Sequence, residues 1–108
     1  MTKQITSNQF TANIKNGNTA IIADYAKQLG IDADVLADIA KQLVTLKNAK
    51  LTVRKQTKDA FGNSRDGYKN AYVSFDTVIW GWYERVTITW CFNANGVCYS
   101  VLNGCFCK

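Results

Sequence analysis

The stretch AYVSFDTVIWGWYERVTITWCF, residues 71–92, decides the fold. Residues 71–79 are dense in β-branched and aromatic side chains, which suit a pleated strand. Trp80-Gly81-Trp82 then marks a bend or bulge. Residues 86–92 alternate, with Val86, Ile88, Trp90 and Phe92 on one face and Thr87, Thr89 and Cys91 on the other. Two such runs about a break predict antiparallel strands sharing an apolar face, and that face must be covered.

Working outward, LTVRKQT (51–57) alternates as a further strand, and KDAFGNSRDGYK (58–69) reads as a loop rich in glycine and charge. Downstream, Asn95-Gly96 and Asn103-Gly104 are each signals for a two-residue hairpin turn. They divide the tail into strands ending near 94, at 97–102 and at 105–108. Residues 50–108 are thus expected to form a four- to five-stranded antiparallel β-meander.

The cover lies upstream. Residues 1–49 contain only two aromatics, Phe10 and Tyr25, against eleven in the remainder, and are rich in Ala, Leu, Lys, Gln and Asp. One helix is predicted from Ser7, its N-cap, to Asn16, with Phe10 and Ile14 on one face and Gly17 at the C′ position. A second runs from Thr19 to Leu29 and closes at Gly30. A third is capped by Asp32 and carries the stripe Val35, Leu36, Ile39, Leu43 and Leu46. The chain of 108 residues supports one core. The expectation is a single α+β domain over 1–108, with a helical part (1–49) layered on a sheet part (50–108).

Within the helical part, Ala26, Gly30, Ile31, Leu36 and Ile39 resemble a helix-turn-helix of the repressor type. That resemblance implies DNA reading by the third helix. The chemistry departs from it: Asp32, Asp34 and Asp38 open that helix, where DNA readers place groups that meet phosphates and base edges. The same spacing packs two short helices across a glycine turn.

All four cysteines, Cys91, Cys98, Cys105 and Cys107, fall in the last eighteen residues. With both Asn-Gly pairs as tight turns, Cys91 faces Ser100 and Ser100 faces Cys107, which puts every thiol on the less apolar sheet face. A four-cysteine metal site, a disulfide and reduced thiols all fit such a cluster. The gaps lack Cys-x-x-Cys knuckles, so no metal is assigned. A four-residue loop at 93–96 would instead set Cys91 opposite Cys98. The N-terminus shows no apolar signal segment, so reduced thiols in a cytoplasmic protein are expected.

The chain has no His, which excludes imidazole catalysis and His-ligated metals, and its single Glu is Glu84. Asp76 and Glu84 lie close across the Gly81 bend but fit an alternating strand pattern, and no phosphate-binding glycine loop precedes a helix. No enzyme and no cofactor are expected. The formal charge of +5 is concentrated after residue 49. Lys50, Arg54, Lys55, Lys58, Arg65 and Lys69, with Phe61 and Tyr68 among them, form a strand and loop suited to nucleic acid or a nucleoprotein complex. The same cations could simply guard an edge strand. Small size, basic balance and the missing catalytic set are in keeping with a phage or mobile-element origin. Two alternatives stand beside nucleic-acid binding. One is a protein-interaction module or inhibitor using Trp80, Trp82 and Tyr83, or the acidic third helix. The other is a structural protein that pairs with copies of itself. No membrane partner is expected.

Overall fold

The computed structural model describes residues 4–46, 48–56, 61–62 and 67–105. Helices α1 (Ser7–Lys15), α2 (Ile21–Leu29) and α3 (Ala33–Thr45) precede strands β1 (Lys50–Lys55), β2 (Lys69–Ile79), β3 (Trp82–Phe92) and β4 (Cys98–Cys105). The strands form one antiparallel sheet in the order β1-β2-β3-β4. The molecule is 21 Å across its thinnest axis, the depth of one helical layer on one sheet. The helices therefore cover a single face.

Each helix end has a local cause. Thr6, not Ser7, caps α1: its hydroxyl accepts from the Gln9 N–H while the Gln9 side chain accepts from the Thr6 N–H, a reciprocal capping box. The helix ends in a Schellman motif, with Gly17 N–H donating to the Ile14 carbonyl and Asn18 N–H to that of Asn13. Helix α2 starts at Ile21, two residues later than Thr19, and its N-cap Ala20 offers no side-chain acceptor. Asp32 caps α3 as expected, accepting from the Asp34 N–H at 2.9 Å.

The α3 stripe closes the core. Leu36, Ile39, Ala40 and Leu43 are buried with Phe10, Ile14, Tyr25, Ala26 and Ile31 over Leu51, Ala71, Val73, Trp90 and Phe92. The Phe10 and Tyr25 rings stack with centroids 4.6 Å apart. Ala26, Ile31, Leu36 and Ile39, which resemble a helix-turn-helix, are thus accounted for by this core. Asp32, Asp34 and Asp38 remain at the exposed surface.

Neither Asn-Gly pair forms the expected two-residue turn. Asn93 organises the first connection instead, its side-chain carbonyl accepting from the N–H groups of Asn95 and Val97. Gly96 is held there by two demands. Its φ is +81°, and its carbonyl accepts from the Asp32 N–H at 3.0 Å, so close to the α2–α3 turn that a Cβ would run into the Gly30 carbonyl. The longer loop sets Cys98 opposite Phe92, and a bulge then restores the expected pairing of Cys91 with Ser100. Asn103 and Gly104 are not a turn at all; they lie within β4, opposite Ile88 and Thr87. Turning back there would leave the backbone of β3 unpaired along Val86–Ile88.

Candidate functional site

Among the described residues β1 pairs along β2 as far as Ser74, and β4 along β3 as far as Val86. Beyond those points β2 and β3 continue, among the described residues, as a two-stranded ribbon, pairing Asp76 with Arg85, Thr77 with Glu84 and Val78 with Tyr83. The bend expected at Trp80-Gly81-Trp82 is a two-residue turn. Trp80 has φ +53° and Gly81 φ +81°, the left-handed pair that a type I′ turn requires. A bulky aromatic in that region is an outlier. The ribbon tip is apolar and bare: Trp80 is 93% exposed, Tyr83 81% and Trp82 74%. A hollow of about 420 Å³ behind it, lined by Leu46, Phe75, Val78 and Tyr83 among others, extends this surface back to the end of α3. These aromatics, offered by the sequence as an interaction surface, stand away from the core.

The basic candidates separate. Side chains alternate across β1 and β2, so Lys50 and Arg54 lie on the face without helices, while Lys55 and Lys69 are cross-strand neighbours on the helical side. The Lys69 ammonium reaches Gly30 at the end of α2, where a helix C-terminus favours a cation. Phe61 is exposed, and Tyr68 meets Tyr99 edge-on at 6.0 Å. Lys58 and Arg65 lie outside the described residues. Of the basic candidates that the strands place, Lys50 and Arg54 therefore do not share a face with Lys55 and Lys69.

The thiols separate as well. Cys91 is buried on the helix-free face, opposite Asn70 and Ser100. Burial pushes its thiol above the ordinary value, and Cys98 adds to the shift. Cys98 packs against the core and donates to the Ser100 carbonyl at 3.5 Å. Both are free thiols. The Cys105 side chain and Cys107 lie outside what the structure describes. Asp76 and Glu84 point to opposite faces of the ribbon, and Asp76 is bound to Arg85 at 3.2 Å, so they do not form a carboxylate pair. Among the described residues no group of three His, Cys, Asp or Glu side chains could hold a metal, and no helix is long and apolar enough to cross a membrane.

The helix-free face also holds polar residues that sequence reasoning did not single out. Tyr72, Ser74 and Thr87 line a shallow hollow of about 340 Å³ with Thr52 and Arg54. Ser74 and Thr87 share a hydroxyl hydrogen bond, and Asn70 donates to the Tyr72 hydroxyl at 3.0 Å. The Asn70 side-chain carbonyl is buried without a partner. Period-two alternation from Arg54 and Asp76 would have found Tyr72 and Ser74, had the uncovered face been known. Compared with protein-family models, curated proteins and solved structures, the chain matches none significantly.

Proposed function

We propose that the protein is a protein-binding module whose β2–β3 ribbon inserts its aromatic tip into an apolar recess of a partner protein. The observation that carries this reading is the exposure of Trp80, Trp82 and Tyr83 together at the end of a ribbon. Large apolar groups left in water contribute nothing to the core, and aromatic rings are the residues that dominate protein interfaces. Two paired strands fix the backbone that carries the rings before binding, which lowers the ordering cost on association. Bases also stack on aromatic rings, but nucleic acid needs cations beside them. The charged residues between 75 and 85 are Asp76, Glu84 and Arg85, a net of −1, with Arg85 already tied to Asp76. A protein partner fits that chemistry better. The role is binding rather than catalysis, and insertion of such a finger into a cleft is how an inhibitor would act.

The test is capture from an extract by the immobilised chain, with and without nuclease, at low and high salt. The wild type should retain a partner that survives nuclease and salt. Trp80→Ser/Trp82→Ser/Tyr83→Ser should lose at least about thirtyfold in affinity for it, since one interface hot spot is worth about 2 kcal/mol or more. Retention that is unchanged in the triple variant, or abolished by nuclease, would overturn the reading.

A further inference from the structure

A separate surface carries a different chemistry. Where β1 begins, a cleft of about 520 Å³ lies between α1 and the ribbon, lined by Thr11, Lys15, Asn48, Lys50, Asp76 and Arg85 among others. Asp76 and Arg85 form an ion pair there, which leaves Lys15 and Lys50 as the cations facing the cleft. The cleft adjoins the hollow on the helix-free face, because Lys50 pairs with Ser74 and Thr52 with Tyr72 across the β1–β2 ladder. Along β1, Lys50, Thr52 and Arg54 project to the same side at alternate positions, which sets Lys50 and Arg54 about 13 Å apart. The result is an elongated basic track rather than a single pocket.

We infer that this track, running from Lys15 and Lys50 to Arg54 and Tyr72, binds the phosphodiester backbone of a single-stranded nucleic acid. Spaced cations fit successive phosphates of a polymer better than one isolated anion. The hydroxyls of Thr52, Ser74 and Thr87 line the floor between them; Ser74 and Thr87 are hydrogen-bonded to each other, so Thr52 and the accepting member of that pair can donate to phosphate oxygens. Tyr72 accepts from Asn70, so its own hydroxyl hydrogen remains for a ligand, and its ring can stack on a base. Every element of the track lies outside the aromatic tip, so this inference stands independently of the protein-binding role.

The probe is a labelled single strand of about 12 nucleotides and mixed sequence, followed by anisotropy at about 50 mM salt and upward. Lys50→Glu/Arg54→Glu should weaken binding at least about tenfold and flatten the salt slope by about 1.4, at 0.7 per lost single-strand phosphate contact. Lys27→Glu/Lys41→Glu makes the same charge change at exposed helical positions and should cost less than about threefold. Tyr72→Phe should weaken binding by about threefold to tenfold while keeping the ring, a loss in the range of one hydrogen bond. The ribbon triple variant should bind as the wild type does. Circular dichroism and the unfolding temperature show that each variant is folded, and Lys50→Gln/Arg54→Gln replaces the reversal if it is not. The inference is overturned if the wild type fails to bind at micromolar protein, if the helical pair costs as much as the track pair, or if a mononucleotide competes as well per phosphate as the strand.

Discussion

Trp82 and Trp90 sit on the same strand, eight residues apart and on the same face of the sheet, yet one is 74% exposed and the other 6%. The difference comes from what lies above them. The helical layer covers the base of the sheet, where Trp90 joins Phe92, Val73 and Leu43 in the core. It ends before the ribbon, so the same alternating pattern carries apolar side chains into water. A strand pattern therefore reports which residues share a face, and not whether that face is buried. At the base the pattern serves stability; at the tip it is free to serve recognition.

The two tryptophans provide the largest expected contrast. Trp90→Ala should cost about 3–5 kcal/mol in urea unfolding, as large-to-small changes in a packed core do. Trp82→Ala should stay within about 0.5 kcal/mol, the range of surface substitutions. Comparable losses at both positions would break the comparison. Two glycines extend the contrast, since Gly96 and Gly81 have the same φ of +81° in different surroundings. Gly81 has nothing within 4 Å of a Cβ, whereas at Gly96 the Gly30 backbone is in the way. Gly81→Ala should cost about 1–2 kcal/mol for the left-handed backbone alone. Gly96→Ala should cost that plus about 1–3 kcal/mol of overpacking.

A smaller effect of opposite sign is expected at Trp80. Asparagine tolerates the left-handed region far better than tryptophan, so Trp80→Asn should raise stability by about 0.5–1 kcal/mol. That gain corresponds to a rise of a few degrees in unfolding temperature. The same substitution should weaken partner capture. Higher stability with poorer binding would show that Trp80 serves the partner rather than the fold.

The smallest contrast is in alkali. Burial raises both the Cys91 thiol and the Tyr25 phenol, with Cys98 adding to the former. The folded protein then holds protons that the unfolded chain has already lost, so stability is lost as pH rises. Stability present in full below the ordinary values of 9.0 and 10.0 should decline from there toward the raised folded values. Unfolding temperatures measured across that window should be flat to about pH 9 and then fall. Cys91→Ser should remove the earlier part of the decline and Tyr25→Phe the later part.

Much of the scaffold was legible because its signals are local. The Asp32 cap, the α3 stripe and the period of residues 86–92 depend on neighbours in sequence, and the structure keeps all three. Asn103-Gly104 misled because its turn preference is weaker than the backbone pairing that β3 offers along its length. The bulge that separates Cys98 from Cys91 follows from the Asn93 side chain, whose choice of partners is tertiary. Alternation in β1 already separates Arg54 from Lys55. The exposure of Trp80, Trp82 and Tyr83 was not legible, because it depends on where three helices stop covering a sheet.

The central claim is that the ribbon's tryptophans are dispensable to the fold. The most direct measurement is urea unfolding of Trp80→Ser/Trp82→Ser, followed by tryptophan emission. Of the chain's three tryptophans only Trp90 then remains. The account predicts an unfolding free energy within about 0.5 kcal/mol of the wild type and native emission that is blue-shifted and poorly quenched by acrylamide. A loss above about 2 kcal/mol, of the size seen for core truncations, would place those rings in the core and contradict it.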